Sequence, residues 1–140
     1  MLFRATTEIA DVFEKEDLKF DISDMDDSSL VEARFNTKKA GSLRILFISH
    51  DDDSDVAIRA FKVVTGVPDE KRAALLEAVN SCNDQYRFAK FILDEDGDIN
   101  MEYDLPVETN DVGEIALEIA IRFVQIADEA YPTMMKALWG

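Results

Sequence analysis

The segment 86–105 reads YRFAKFILDEDGDINMEYDL, and its pattern is the clearest in the chain. Its second half alternates apolar and polar residues, which is typical of a strand with one buried face. The first half, Tyr86 to Leu93, is rich in aromatic and β-branched residues, and Asp94–Gly97 between the halves favours a tight turn. The segment therefore predicts a β-hairpin.

A helix is predicted on each side of this hairpin. A proline followed by two carboxylates at 68–70 marks a helix start, and apolar residues then recur at helical spacing as far as Cys82. A final helix is predicted from about 112 to 131. We expect Pro132 to end or kink it before a last apolar piece at 134–139.

The first half of the chain predicts one helix and three strands. The helix covers about residues 5–17, with Thr6 or Thr7 as its N-cap. Residues 19–22 have the pattern of a brief strand that our count leaves out. The counted strands are 30–35, 43–48 and 56–64. The strand at 43–48 is apolar on both faces, so we expect it to be central and covered on both sides.

These elements predict a single α+β domain over residues 1–140. Its antiparallel sheet has about five strands with helices packed against it, in the order α-β-β-β-α-β-β-α. A chain of 140 residues is long enough to bury one sizeable core.

The net charge of the chain limits the classes of partner that it can bind. The sequence has 15 Lys and Arg and 30 Asp and Glu, so the net charge is −15. This charge repels phosphate backbones and anionic lipids, so neither nucleic acid nor a membrane is expected as a partner. The N-terminal residues lack the pattern of an export signal, and a lone cysteine fits a reducing compartment. We therefore expect a cytoplasmic protein.

Two acidic segments could carry chemistry, and neither has a convincing pattern. His50 stands beside aspartates at 51–53 and 55, but a zinc site normally draws on more than one His or Cys. Asp94, Asp96 and Asp98 partly resemble a calcium loop. That loop would need a carboxylate where Ile92 stands and a terminal Glu one residue later than Glu102.

Cys82 falls near the end of a predicted helix, where the dipole disfavours a thiolate. We therefore predict no catalytic residue, no metal ligand and no cofactor. The rival hypothesis is an enzyme or metal-binding protein whose site is assembled from separate loops, with His50, Asp94, Asp96 and Asp104 as its groups.

The final helix is more apolar than one sheet requires. Its polar stripe spans about 80°, and Leu117, Ile121 and Val124 extend the apolar arc to about 240°. Left in water, these three would forgo about 5 to 9 kcal/mol at 1.5 to 3 per side chain. Either the first helix or the 134–139 tail covers them, or a second subunit or a client protein does. We predict Leu117, Ile121 and Val124 as partner-binding residues.

Several motifs between Pro68 and Pro106 point to a known family. They are Val67-Pro68-Asp69-Glu70-Lys71-Arg72, Asn80-Ser81-Cys82-Asn83, Arg87-Phe88-Ala89-Lys90-Phe91, the turn Asp94-Glu95-Asp96-Gly97, and Asp104-Leu105-Pro106. With them the chain resembles the YbjN-domain proteins, whose fold is shared with the small acidic type III secretion chaperones. Each motif also has an architectural explanation: Asn80 and Asn83 can close a helix, and Gly97 can make the turn.

The resemblance implies helices on a strongly bent antiparallel sheet, frequent homodimers, and regulatory or chaperone-like binding, with no catalytic residues to carry over. Our leading hypothesis is a non-catalytic, dimeric protein-binding module that offers apolar surface or a sheet edge to an unknown protein client. A structural subunit of a larger complex is a further alternative.

Overall fold

The structure is a computed structural model that describes residues 2–108 and 111–140. Its helices are α1 (Arg4–Lys15), α2 (Arg72–Gln85) and α3 (Val112–Trp139). Its strands are β1 (Phe20–Asp24), β2 (Ser28–Asn36), β3 (Ser42–His50), β4 (Asp55–Val64), β5 (Lys90–Leu93) and β6 (Ile99–Pro106). A short 3₁₀ turn, Asp69–Lys71, precedes α2.

The strands form one antiparallel sheet in the order β1-β2-β3-β4-β6-β5. The α+β prediction is confirmed, with six strands where about five were expected. The sixth strand is β1, which lies at the segment 19–22 that has the pattern of a brief strand. Its sequence signal is weak because four of its five residues are exposed, and its pairing with β2, from Phe20↔Ala33 to Asp24↔Ser29, is what makes it a strand.

The helices pack on one face of the sheet and build the core there. Val31, Phe47 and Ile58 lie side by side on neighbouring strands and are fully buried. Phe13 of α1 meets Phe47 edge to face, with ring centroids 5.2 Å apart. Phe123 of α3 joins the same cluster, so the core lies between the helices and this face.

The opposite face, which we call the open face, carries the alternate residues of the same strands. Leu30, Leu46, Ile48 and Ala57 lie on it, outside the core cluster. The 43–48 strand is central as predicted. The expected cover on both sides is wrong for the described residues, because the helices pack on the core face only. Leu46 still keeps only 8% of its surface exposed, since longer side chains stand beside it.

Strand β5 is shorter than the predicted Tyr86–Leu93. It begins at Lys90 because Phe88 adopts φ +68°, a left-handed conformation that interrupts an extended strand. Strand β5 therefore pairs with β6 over four residues only, from Lys90 to Leu93.

Pro132 was expected to end or kink the last helix. Helix α3 continues through it to Trp139, so the first of these alternatives is wrong. Proline costs about 3 kcal/mol in a helix interior because it removes one backbone donor and crowds the preceding turn. Met134 and Leu138 are both buried beyond it, and each recovers about 1.5 to 3 kcal/mol. Burial of the 134–139 piece therefore outweighs the local cost of the proline.

The predicted N-cap of α1 is also wrong. The helix begins at Arg4, and Thr6 is a fully buried residue of its first turn. The Thr6 hydroxyl bonds to Ser29 Oγ at 2.8 Å and donates to Ser49 Oγ at 3.2 Å. The Phe3 N–H, one of the free donors at the helix start, donates to Ser29 Oγ at 3.1 Å. A serine of β2 therefore takes the place of a local cap.

Candidate functional site

Helices α1 and α3 pack tightly near the start of α3. A Cβ on Gly113 would lie 2.5 Å from the backbone oxygen of Glu8, so only glycine allows this approach. Ile9 of α1 and Ala116 and Ala120 of α3 are buried. Part of the wide apolar arc of α3 is thus covered by the first helix, as the within-chain alternative predicts.

Leu117, Ile121 and Val124 form a line along α3, which we call the α3 strip, because positions four and three residues apart are neighbours on a helix surface. Leu117 and Val124 are half-buried and pack against the core cluster. Ile121 stands between them with 45% of its surface exposed. The within-chain cover is therefore incomplete at the three predicted residues.

A groove lies on each side of the α3 strip, and each groove is lined in part by half-buried apolar residues. The first lies between α1 and α3, has a volume of about 290 Å³ and contains Val12 and Leu117. Its other lining residues are Asp11, Lys15, Glu16 and Glu114, which give it an acidic rim. The second groove, about 460 Å³, contains Val124 and lies between α3 and the β2–β3 turn.

Asp128 holds the β2–β3 turn against α3. Its carboxylate accepts N–H bonds from Lys38 at 2.9 Å, from Lys39 at 2.7 Å and from Ala40 at 3.3 Å. Desolvation raises the pKa of Asp128, but these donors together with the Thr37 hydroxyl outweigh it and leave the pKa lowered. Asp128 interrupts the apolar arc in the sequence, and this tie to a turn about 90 residues away explains why.

The other flank of α3 is closed by an aromatic contact. The Arg122 guanidinium lies over the Phe88 ring, 4.5 Å from its centroid, and Arg122 also pairs with Glu118 at 3.0 Å. Phe88 in turn meets Tyr103 edge to face at 6.2 Å. Phe88, whose backbone is left-handed, thus has its ring against a side chain of α3. The α3 strip therefore borders α1 and the β2–β3 turn, and it does not border the flank that Phe88 closes.

The two edges of the sheet differ. At the β5 edge, the Asn83 side-chain amide donates to the Phe91 carbonyl at 3.0 Å and accepts the Phe91 N–H at 2.7 Å. Asn83 thus pairs with the edge strand and does not close the C-terminus of α2, as the sequence had suggested; Asn80 is exposed. At the other edge, β1 exposes 42% of Ile22. Only the β5 edge is therefore blocked by such a side-chain amide among the described residues.

The structure does not assemble the rival loop site. His50 ends β3 beside the first residues of β4, whereas Asp94 follows β5 near Val64 at the far end of β4. Nine steps along β4 separate them by about 30 Å. Asp104 lies nearer His50, but its carboxylate pairs with Arg59 at 2.8 Å. Asp96 lies exposed in the β5–β6 turn, beside Asp94.

The carboxylate of Asp94 accepts hydrogen bonds from its own turn. One carboxylate oxygen accepts the N–H groups of Asp96 and Asp98 at 2.9 and 3.0 Å, and the other accepts the Asn100 amide at 2.9 Å. The Asp98 backbone donor and then the Asn100 amide lower the pKa of Asp94. The carboxylate of Asp94 thus shapes the hairpin turn, and both of its oxygens are engaged there.

The remaining chemical candidates are inert. Cys82 is buried, and burial raises the pKa of its thiol, so it stays protonated near neutral pH. Over residues 2–108 and 111–140, no group of three or more His, Cys, Asp or Glu is placed to hold a metal ion. Within the same residues, no helix has the length and apolar character that crossing a bilayer requires.

Comparison with known proteins adds a family match and one structural likeness. A family model named YbjN, described as "Putative bacterial sensory transduction regulator", matches residues 6–136. No curated protein matches the sequence. Among solved structures, a chain of the heterodimeric ExoU-SpcU complex from the type III secretion system of Pseudomonas aeruginosa is 16% identical, with a TM-score of 0.47 and coverage of 96% of this chain and 97% of that one. Likeness at that level carries no argument about partners.

Proposed function

Since the chain belongs to the YbjN family, we propose that it is a non-catalytic protein-binding module, a regulatory or chaperone-like adaptor that acts in the cytoplasm as a homodimer. Its client is another polypeptide, which it holds along the α3 strip. The observation that carries the proposal is the exposure of Ile121, 45%, between half-buried Leu117 and Val124 on a helix that is otherwise packed.

The α3 strip has the geometry of a helix-side docking line. An apolar side chain of a client can contact Ile121 at the crest and reach Leu117 in the first groove or Val124 in the second. Burial of the exposed part of such a line supplies most of the affinity of a small interface, because a few central side chains dominate binding.

The charges around the strip define the chemistry of the client. The groove that contains Leu117 is rimmed by Asp11, Glu16 and Glu114, with Lys15 as its one cation. The chain as a whole carries −15. A client segment with apolar residues flanked by Lys or Arg therefore fits this groove, and its association should weaken as salt screens the attraction.

The proposal is tested by affinity capture with matched variants. Ile121→Glu places a charge at the crest of the strip, and we expect the amount of each specifically captured polypeptide to fall by about tenfold or more. Leu76→Glu is the control, because Leu76 is a helix residue of α2 with the same exposure, 45%, and lies outside the α3 strip.

Circular dichroism and thermal melting establish that both variants fold, since each substitution changes an exposed position. A folded Ile121→Glu protein that captures the same polypeptides as the wild type would refute the role of the α3 strip. Equal losses in Ile121→Glu and Leu76→Glu would attribute capture to general surface hydrophobicity and would refute it too.

A further inference from the structure

The open face of the sheet carries an apolar centre that no described helix covers, although neighbouring side chains leave only 8% of Leu30 and of Leu46 exposed. Leu30, Leu46 and Ile48 are large apolar residues of two central strands, and no helix of the described chain covers them. A sheet buried on one face normally alternates apolar and polar residues. Strand β3 departs from this rule, since Leu46 and Ile48 face away from the core. Apolar residues on an uncovered face are typical of a surface that another chain covers.

Charged side chains surround this apolar centre in pairs of opposite sign. Arg44 bonds Glu32 at 2.8 Å across β2 and β3. Arg59 lies along the sheet, with Nη2 at 2.8 Å from Asp104, Nε at 3.7 Å from Glu102 and Nη1 donating to the Tyr103 carbonyl at 3.3 Å. Only 20% of the Arg59 side chain is exposed, so these charges are already held in place before any partner arrives.

The open face is close to neutral although the protein is strongly acidic. The strand registers place on it four basic residues, Arg34, Arg44, Arg59 and Lys90, and five acidic ones, Asp21, Glu32, Asp55, Glu102 and Asp104. Taking these nine from the 15 basic and 30 acidic residues leaves 11 against 25 elsewhere. The remaining surface therefore repels a second copy, whereas the open face does not.

The face is also large enough for a dimer. Strand β3 has nine residues, about 30 Å in length. The five neighbouring strands β2, β3, β4, β6 and β5 span about 24 Å at about 4.8 Å per strand. Two copies packed through this area would bury about 700 Å² each, or about 1,400 Å² in total. That total is within the range of about 1,200 to 2,000 Å² for specific interfaces.

We infer that two copies of the chain associate through their open faces, sheet against sheet. The inference rests on the homodimer of the proposed function and adds the surface that forms it. A two-fold axis brings the same face of both copies together, so Arg residues of one face can meet carboxylates of the other around a shared apolar centre of Leu30, Leu46 and Ile48. The α3 strips then point outward on opposite sides, both free for clients.

Two substitutions on the open face test the inference by sedimentation equilibrium of the full chain. Ile48→Glu puts a charge into the apolar centre, and we expect the dimer dissociation constant to rise at least about a hundredfold. Arg34→Glu changes an exposed residue and takes the charge of the face from −1 to −3, and we expect a rise of about tenfold or more. Because Arg34 is exposed, this second variant keeps the test valid if Ile48→Glu fails to fold.

Lys136→Glu is the charge control, because it makes the same change at an exposed position of α3. A dimer weakened by both open-face variants and unchanged by Lys136→Glu supports the inference. Three results would overturn it: a wild type that stays monomeric at about 100 μM, folded open-face variants that dimerise as the wild type does, or a dimer that dissociates on Ile121→Glu instead. A monomeric wild type that still captures its client through Ile121 would remove the dimer and leave the binding function standing.

Discussion

The carboxylate of Asp128 fastens the β2–β3 turn to α3, and its removal should cost the protein stability. Asp128→Ala deletes the acceptor for three backbone N–H groups at 2.9, 2.7 and 3.3 Å. Asp128→Asn keeps one acceptor oxygen and the shape of the side chain but removes the charge. Comparing the two variants separates the loss of the charge from the loss of the contact.

The magnitude follows from the number and the exposure of these bonds. A hydrogen bond to a charged group contributes about 1.5 to 3 kcal/mol when it is well shielded. Two of the three N–H groups belong to exposed residues, where water can replace the carboxylate. We therefore expect the free energy of unfolding to fall by about 2 kcal/mol in Asp128→Ala and by about 1 kcal/mol in Asp128→Asn.

Urea unfolding at pH 7 measures both losses, with Gln125→Ala as the control at an exposed position one turn earlier on α3. The pH dependence of the free energy of unfolding provides a second measurement. Because the donors hold the folded-state pKa of Asp128 below the unfolded value of about 3.9, its stabilisation is fully present above that value and is lost as the pH falls through the folded-state pKa. A loss below about 0.5 kcal/mol in Asp128→Ala, or equal losses in all three variants, would refute the reasoning.

Two further substitutions test the packing that presents the candidate site. Gly113→Ala should lower the free energy of unfolding by about 1 to 3 kcal/mol, because its Cβ would meet the Glu8 carbonyl at 2.5 Å and push α1 from α3. A change under about 0.5 kcal/mol in urea unfolding would mean that the two helices are not in this contact. Asn83→Ala should lower the free energy of unfolding by about 1 to 2 kcal/mol and speed amide hydrogen exchange at Phe91, because the β5 edge loses both side-chain bonds. Unchanged exchange at Phe91 would argue against the pairing of Asn83 with this strand.

The parts of the fold that the sequence predicted well are those with local causes. The β5–β6 hairpin follows from alternation along Ile99–Leu105 and from turn residues beside it, and the structure has β6 at Ile99–Pro106. The three helices follow from apolar spacing within a few turns. Such patterns need no knowledge of the partner element, because each residue's environment repeats at the period of the element itself.

The parts that were missed depend on residues far apart in the sequence. Strand β1 exists because β2 pairs with it, and α3 passes Pro132 because Met134 and Leu138 find a core to enter. The roles of Asp128 and Asn83 are likewise set by segments that only the fold brings near. A sequence signal existed for Asp128 alone, as a single charge within an apolar arc, but nothing in the sequence named its partner.

For the candidate site, the sequence indicated the residues but not how far each of them is exposed. The angular width of the apolar arc pointed to Leu117, Ile121 and Val124 without any tertiary information. How far each is covered depends on α1 and on the β2–β3 turn, which leave Ile121 exposed and half-bury its two neighbours. The near-neutral charge of the open face could not be read from the sequence, because it follows from five strand registers together.

Native mass spectrometry of the tagged protein, purified gently from its source cells, tests the central claim most directly. The account predicts a dimer that carries a reproducible polypeptide, and it predicts that the same preparation of Ile121→Glu yields the dimer without that polypeptide. A polypeptide that stays bound to folded Ile121→Glu, or a wild type that carries a metal or small molecule and no polypeptide, would contradict it.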